Sequence, residues 1–425
     1  MDKSFDKFYK KTRDERLATL LNAQLLSQED YSLFKQNTPL DEDVANSLIE
    51  NQLTQFPIPL GVGLNFIIDG KEKAIPMVVE EPSVIAACSY AAKMTRPNGF
   101  KTSITSYLKR GQIIFTGVEN LETAQKMLLS HFEEIKKVAN LSHPSIVKRG
   151  GGLQHIECSV FKDENDETFF TVYLLIDVGN AMGANIINTI LEGVTPFISE
   201  LIDGEALMSI LSNYNTESLV TATCSIPFNH LDSKTASGKE IAHRIVQATR
   251  YANLDTYRAV THNKGIMNGI DSVVIATGND PRAVSAAAHA YACRNGRYQS
   301  MTDWHVNDTS LIGELTLPMS IGSVGGAISV FPMAKANLDM LDITDSQELA
   351  RVIVSVGLAQ NLAALKALVS DGIQKGHMKL HASSLAIQVG AVGDEIELVT
   401  EKLRLAPHMN TKTASDILLN LRKNN

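Results

Sequence analysis

The stretch THNKGIMNGIDSVVIATGNDPRAVSAAAHAYACR, residues 261–294, decides how this chain is read. Lys264 stands between an asparagine and a glycine. The apolar run Ile270 to Ala276 that follows reads as a buried strand. Thr277-Gly278-Asn279-Asp280-Pro281 then marks a turn, and the alanine-rich residues up to about Arg294 predict a helix. Asp280 before Pro281 makes a good N-cap with proline at the first helical position. On this reading a lysine and an aspartate sit at opposite ends of one short apolar element, where site residues are commonly mounted. Taken alone, Asp280 is explained by capping and Lys264 by solvent exposure. A reason for more has to come from the rest of the chain.

Outward from that stretch, residues 12–50 read as helical, with acids in the first turn after Thr12. Pro57 to Gly63 is extended. Asn65–Ile68 and Ile75–Val79 are strands joined at Asp69-Gly70. Glu80-Glu81-Pro82-Ser83 leads into a helix over 84–94 rich in alanine. Two adjacent carboxylates feeding a closely packed helix are unusual, and a half-buried one can serve as an acid. A strand at 111–116 and a helix at 119–139 precede the basic loop Ser142 to Arg149 and Gly150-Gly151-Gly152. Strands at 153–162 and 167–177 form a hairpin. Asp177 to Asn185 is then a tight glycine-containing loop opening a helix through Leu191, a geometry suited to an anion and equally to a plain connection. Helix 202–212, strand 218–227 and helix 238–253 follow. The cluster Gly322-Ser323-Val324-Gly325-Gly326 reads as a ligand approach or as a bulge. A long amphipathic helix spans 346–375, capped at Gly376 and followed by His377 and His381. Residues 382–425 form a smaller helical unit.

The composition bounds the answer. A chain of 425 residues, 44% hydrophobic and 20% charged, supports a large globular core. The net charge of −8 argues against a general nucleic-acid binder. No run approaches the ~18 uninterrupted apolar residues of a membrane span, and the charged start MDKSFDKFYKKTRDERL is no secretory signal. The basic residues Lys7, Lys10, Lys11 and Arg13 within it read as a solvated face. The four cysteines, Cys88, Cys158, Cys224 and Cys293, are scattered without a C-x-x-C, which fits a reducing cytoplasm and gives no zinc signature. Cys88 and Cys293 lie in alanine-rich patterns that suggest buried packing. HMKLH lacks the glutamate of a zinc motif, so no metal is expected. Gly61-Val62-Gly63 does not continue as G-x-G-x-x-G, so a Rossmann fingerprint is missing.

Taken together these segments resemble the class II, bacterial-type 3-hydroxy-3-methylglutaryl-CoA (HMG-CoA) reductases. The stretches that carry the likeness are ENQLTQFPIPLGVGLNF (50–66), PMVVEEPSVIAACSYAAKM (76–94), RGGGLQHIE (149–157), DVGNAMGANIINT (177–189), THNKGIMNG (261–269), IATGNDPRA (275–283), GSVGGA (322–327), VGLAQNLAALKAL (356–368) and GIQKGHMKLHA (372–382). All of them in this order make a specific pattern. E-E-P-S resembles class II, where the membrane-anchored class is expected to show T-E-G.

The resemblance implies an α+β protein: a large mixed α/β domain (1–106 plus 213–376), an inserted small α+β, non-Rossmann cofactor domain (107–212) and a helical C-terminal flap (377–425). It implies Glu81, Lys264, Asp280 and His377 as catalytic residues. Lys264 would stabilise negative charge on the thioester oxygen, Asp280 would hold that lysine, His377 would protonate the CoA thiolate, and Glu81 would deliver a proton to the aldehyde intermediate. Ser83, Arg258 and Asn268 are expected on the substrate's carboxylate and hydroxyl. Lys148, Arg149, Asn180, Met182, Gly183, Ala184, Asn185, Gly325 and Gly326 are expected on the cofactor, with Asn180 where the family usually has aspartate. The loop SHPSIVKR is basic and lacks an acid for a ribose hydroxyl, which favours NADPH over NADH. HMG-CoA, mevalonate and CoA are the implied ligands, and a homodimer or dimer of dimers with active sites between subunits the implied assembly, in the cytoplasm.

Three other readings compete: an NADH-linked, mevalonate-degrading reductase, a CoA-thioester hydrolase or acyltransferase with Cys88 as nucleophile, and a non-catalytic scaffold. The scaffold leaves the four matched motifs unexplained.

Overall fold

The structure is a computed structural model and describes residues 3–370 and 382–423. Three short helices open it, α1 (Arg13–Asn22), α2 (Gln28–Gln36) and α3 (Glu42–Leu48). Thr12 with Glu15, and Ser27 with Asp30, close capping boxes on the first two. β1 (Leu60–Ile68) and β2 (Lys71–Val78) then form a hairpin across Asp69-Gly70. Both turn residues have positive φ, 49° and 84°, as a two-residue hairpin turn requires. α4 (Val84–Thr95) packs on β1, and β3 (Phe100–Ile104) runs beside it.

At β3 the chain leaves this sheet. β4 (Lys109–Thr116), α5 (Leu121–Ser130), α6 (Phe132–Ser142), α7 (Pro144–Val147), β5 (Gly152–Lys162), β6 (Thr168–Asp177), α8 (Ala184–Ile202) and β7 (Glu205–Leu211) build a four-stranded antiparallel sheet of order β5-β6-β4-β7. Its core gathers Ile113, Phe115, Leu128, Ile135, Phe170 and Ile190 under α5, α6 and α8.

The chain returns as β8 (Leu219–Pro227), hydrogen-bonded directly to β3. α9 (Gly238–Leu254), α10 (Thr256–Ala276), α11 (Pro281–Ala292), β9 (Thr302–Val306), β10 (Ser310–Pro318), α12 (Pro332–Leu341) and α13 (Ser346–Val369) complete the larger unit, whose sheet has the order β2-β1-β3-β8-β10-β9. Because β3 and β8 are neighbours, everything between them is an insertion at one edge-to-edge joint. α13 is long and apolar enough to cross a membrane by length and composition, yet most of it is buried against α10, α4 and β8, as the central helix of a core is. α14 (382–388), α15 (Asp394–Leu405) and α16 (Thr411–Lys423) share a small core of their own around Leu385, Val399, Leu403 and Leu418.

The architecture is the α+β arrangement expected, with several corrections. Ile270–Ala276 is not a strand; it is the end of the 21-residue helix α10. Residues 202–212 are not a helix: α8 runs on past Leu191 to Ile202, and Glu205–Leu211 is the edge strand β7 paired to β4. The helix expected at 119–139 breaks at His131 into α5 and α6. Cys293 is exposed, not packed. Gly376, His377 and His381 lie outside the described residues.

Candidate active site

α10 explains the site. His262, Asn263, Ile266, Met267, Ile270, Val273 and Val274 are buried, so the helix shows the surface one stripe only. Lys264 and Asn268 are on it, one turn apart. Opposite them stands Glu81, the second carboxylate of the E-E-P segment. Lys264 Nζ donates to Glu81 Oε2 at 2.6 Å, and Asn268 Nδ2 donates to the same oxygen at 3.2 Å. An ion pair this exposed adds little to stability, so its value lies in holding a cation and a proton carrier together.

Ser83 stands beside them in an unusual state. Its φ is 80°, a left-handed conformation at the start of α4, and its hydroxyl is buried without a hydrogen-bond partner. Strain and an orphaned polar atom in one residue mark functional positions. Arg258, on the first turn of α10, is half-buried, and that burial lowers its pKa. No carboxylate pairs with it among the described residues.

Two residues sequence reasoning passed over set the helix in place. His262 Nε2 lies 2.8 Å from Thr302 Oγ1, 2.9 Å from Ser300 Oγ and 3.0 Å from Asn361 Nδ2. Trp304 Nε1 donates to Asn361 Oδ1 at 2.8 Å, which fixes that amide so that its nitrogen faces the histidine. Burial, with the nearby positive charge of Arg258, pushes His262 down to about 3, so the ring is neutral. Asn263 bonds the Gln299 carbonyl and the Met301 amide. Their place inside T-H-N-K-G was the available signal, but a buried histidine cannot be told from an exposed one by its neighbours in sequence.

The second group lies past the far end of α10. Asp280 caps α11, accepting from the backbone N–H of Arg282 and Ala283, and pairs with Arg282 Nε at 3.2 Å. Partial burial works to raise its pKa, but Arg282 and the two amides outweigh it and hold the carboxyl below its usual value. The Asn279 amide clasps Gly322, receiving from its N–H at 2.7 Å and donating to its carbonyl at 3.0 Å, and its nitrogen also lies within hydrogen-bond distance of the Thr277 carbonyl and hydroxyl. Gly322 in turn lies against the loop before α8. A Cβ there would sit 2.5 Å from the Met182 nitrogen. Ser323 N donates to the Asn180 carbonyl, and Ala181 bridges Val324. The Asn180 side chain accepts from Ser346 N at 3.3 Å, at the start of α13. Gly183 has φ 97° and would drive a Cβ into Val178. Ala184 and Asn185 open α8, whose first amides have no partner within the helix. Gly325 and Gly326 have positive φ and open space around them, and the Ser323 hydroxyl is buried and unpaired. Lys148 and Arg149 are exposed beside α7.

The chain does not bring its two groups together. At 1.5 Å per residue, α10 carries the chain about 18 Å from Lys264 to Ala276, and Asp280 follows just past that far end. The expected Lys264–Asp280 contact is therefore not made within one chain, and the short element imagined between them is a long helix. The Cys88 thiol is fully buried against Met77 and pushed up by burial to about 12, the state of an inert thiol. Among the described residues, no group of three or more His, Cys, Asp or Glu is gathered as a metal site would be.

The family model described as hydroxymethylglutaryl-coenzyme A reductase matches residues 12–382. The chain is 42% identical over 418 residues to the 3-hydroxy-3-methylglutaryl-coenzyme A reductase of Archaeoglobus fulgidus, covering 98% of this chain and 94% of that protein. It is 32% identical over 345 residues to the probable enzyme of Borreliella burgdorferi, covering 81% of this chain and 79% of that protein. Among solved structures, the Streptococcus pneumoniae reductase superposes with a TM-score of 0.84 at 44% identity, over 98% of this chain and 100% of that one. A second Streptococcus pneumoniae structure, described as class II and bound to NADPH in open conformations, gives 0.82 at 44% identity over 97% of this chain and 100% of that one. With E-E-P-S, T-H-N-K-G and G-N-D set out in space as above, the chain belongs to the hydroxymethylglutaryl-coenzyme A reductase family, in its class II branch.

Proposed function

We propose that the protein reduces HMG-CoA to mevalonate and CoA at the expense of two NADPH, as a step of isoprenoid synthesis in the cytoplasm. The observation that carries the reading is the Glu81–Lys264–Asn268 cluster beside a strained, unsatisfied Ser83 and an unpaired, half-buried Arg258. That is a proton carrier and a cation for a carbonyl, next to donors for a hydroxyl and a carboxylate.

The cofactor loop fits a dinucleotide phosphate. Free amides at the start of α8, the close approach allowed by Gly183 and Gly322, the unpaired Ser323 hydroxyl and the cations Lys148 and Arg149 are donors waiting for an anion. Asn180, Met182, Ala184, Asn185, Gly325 and Gly326 complete the cradle. One NADPH held there would supply the first hydride, and a second NADPH, bound after NADP⁺ leaves, would supply the second. Lys264 stabilises the oxyanion that develops as the thioester carbonyl is first attacked. The C–S bond then breaks, and the departing thiolate takes its proton from His377, carried on a C-terminal flap (377–425). The aldehyde left behind is polarised by Lys264 again. Glu81 takes up a proton before this second reduction, hands it to the aldehyde oxygen as hydride arrives, and returns as a carboxylate to its pair with Lys264.

Asp280 enters from a second copy of the chain. The separation of Lys264 from Asp280 supports this, since neither the helix nor a side chain spans it. Residues 1–106 with 213–376 act as the substrate and dimerisation domain, and 107–212 as the cofactor domain, in a homodimer or a dimer of dimers.

Nicotinamide absorbance tests the reaction. The expected result is two NADPH oxidised per HMG-CoA, with NADH clearly poorer. Equal kcat/KM for both would overturn the cofactor preference, NADH alone would turn the direction toward mevalonate breakdown, and no oxidation by folded protein would end the reading. Subunit mixing tests the shared site. Lys264→Ala and Asp280→Ala proteins should each be nearly inactive. Co-expressed, they should regain about one quarter of wild-type activity, because half the dimers are mixed and each mixed dimer has one intact site. If no activity returns, the two residues belong to one chain's site.

A further inference from the structure

We propose that Asn279 is a positioning residue: its side-chain amide ties the turn that carries Asp280 to the loop that receives the cofactor, so that seating of the nucleotide and placement of the aspartate depend on each other. The inference rests on the NADPH-dependent reading above and gives Asn279 a part in it that no motif assigned.

The turn from Thr277 to Asp280 is closed without that amide. α10 stops in a Schellman motif. Gly278, at φ 68°, donates its N–H to the Ile275 carbonyl at 3.0 Å, and the Asn279 N–H reaches back to the Val274 carbonyl at 3.0 Å. The Thr277 hydroxyl bonds the Val273 carbonyl at 2.8 Å, and Asn337 Nδ2, on α12, donates to the Ala276 carbonyl at 2.7 Å. The last carbonyls of the helix are thus met, and Asp280 begins α11 at once with its own cap.

The Asn279 side chain therefore serves something beyond its own turn. It holds both the N–H and the carbonyl of a single residue, Gly322. Gly322 is buried, where unpaired backbone groups are costly, so loss of the amide forces this loop to move. Gly322 lies in turn on the loop before α8. A Cβ on it would come within 3.1 Å of the Ala181 carbonyl carbon and 3.2 Å of the Asn180 oxygen, and Ser323 N donates to that same oxygen at 2.9 Å. A continuous strut runs from Asp280 through Asn279 and Gly322 to Asn180. One end lies in the large unit and the other in the insertion between β3 and β8. An effect of the nucleotide on one end must be matched by an effect of the other end on the nucleotide.

Binding without turnover tests the strut. NADPH titrated into Asn279→Ala and followed by nicotinamide fluorescence should bind about tenfold more weakly than to the wild type, as the loss of two hydrogen bonds predicts, with the Kd for HMG-CoA unchanged. Asn279→Gln keeps a donor and an acceptor and should recover most of the affinity. Asn337→Ala loosens the same turn from the α12 side, away from Gly322, and should bind NADPH as the wild type does. Hydrogen exchange reads the far end. The amides of Arg282 and Ala283, both held by Asp280 Oδ1, should exchange more slowly when NADPH binds the wild type and show no such change in Asn279→Ala. Unchanged NADPH affinity in Asn279→Ala, an equal loss in Asn337→Ala, a glutamine variant no better than the alanine one, or NADPH protection of Arg282 and Ala283 that survives in Asn279→Ala would each overturn the proposal. Folded wild-type protein that binds no NADPH would end the cofactor reading, and this inference with it.

Discussion

Ser83 carries two opposed effects that one substitution separates. Its left-handed backbone, φ 80°, suits glycine better than serine, while its buried hydroxyl has no partner within the chain. Ser83→Gly should leave stability unchanged or raise it by about 0.5–1 kcal/mol. It should also raise KM for HMG-CoA by roughly tenfold, the worth of one hydrogen bond to a charged group. Thermal melting and steady-state kinetics read the two halves, and a fall in stability with unchanged KM would make Ser83 a structural residue. Arg258→Ala should likewise raise KM for HMG-CoA, by roughly tenfold to a hundredfold, and leave KM for NADPH alone. An unchanged HMG-CoA KM would remove Arg258 from the substrate. At this scale the sequence was informative where a motif is local. Glu81, Lys264 and Asn268, drawn from two separate motifs, meet in the structure. Asp280 does not meet Lys264 within one chain, because spacing along a chain says nothing of the distance across an element whose type is misread. Ser83's strain was invisible, since φ is set by the packing of α4 and not by the identity of the residue.

α10 shows why the element was misread. Ile270 to Ala276 is contiguous and apolar because that part of the helix is surrounded by α13, α4, α11 and α12. A helix buried on nearly all sides loses the amphipathic period that would identify it. β7 failed for the opposite reason. Glu205–Leu211 has an irregular burial pattern with Leu207, Met208 and Ile210 exposed, and pairing with β4 at the sheet edge overrides its local preference. The hairpin β1–β2 and the hairpin β5–β6 were legible because turn chemistry and alternation agree. The joint between the two glycine loops was legible only as glycines. Their contact depends on Gly322 lying against Met182, where Gly322→Ala would place a methyl 2.5 Å from a backbone nitrogen. Forcing that contact apart should cost about 1–3 kcal/mol. The cost should appear as a roughly five- to hundredfold higher KM for NADPH with KM for HMG-CoA little changed. Equal losses for both substrates would mean that the loops are coupled to the whole site and not to the cofactor alone.

The whole molecule hangs on the place where the inserted sheet meets the large one, and a lysine is buried there. Lys109 opens β4. Its ammonium donates to Ser218 Oγ at 3.2 Å, just before β8, and to the Met319 carbonyl at 2.9 Å, just after β10. It thus ties the first strand of the small sheet to two strands of the large one. No carboxylate pairs with it among the described residues, and burial pushes its pKa down to about 8, with the charge of Asp177 opposing. At pH 7 the group is charged in the folded and unfolded chain alike, and the folded chain bears the cost of burying the charge. Between about pH 8 and the usual lysine value the unfolded chain binds more protons than the folded one, so stability rises with pH across that window. A methionine at 109 keeps the length of the side chain and loses both the charge and the titration. Lys109→Met should therefore be more stable than the wild type at pH 7, by about 1–3 kcal/mol once the two lost hydrogen bonds are counted. The advantage should shrink toward zero by pH 10. Urea midpoints at the two pH values measure this. A constant difference between the two proteins would show that Lys109 acts through its hydrogen bonds alone, and a less stable variant at pH 7 would show that those two bonds outweigh the buried charge in holding the inserted sheet in place.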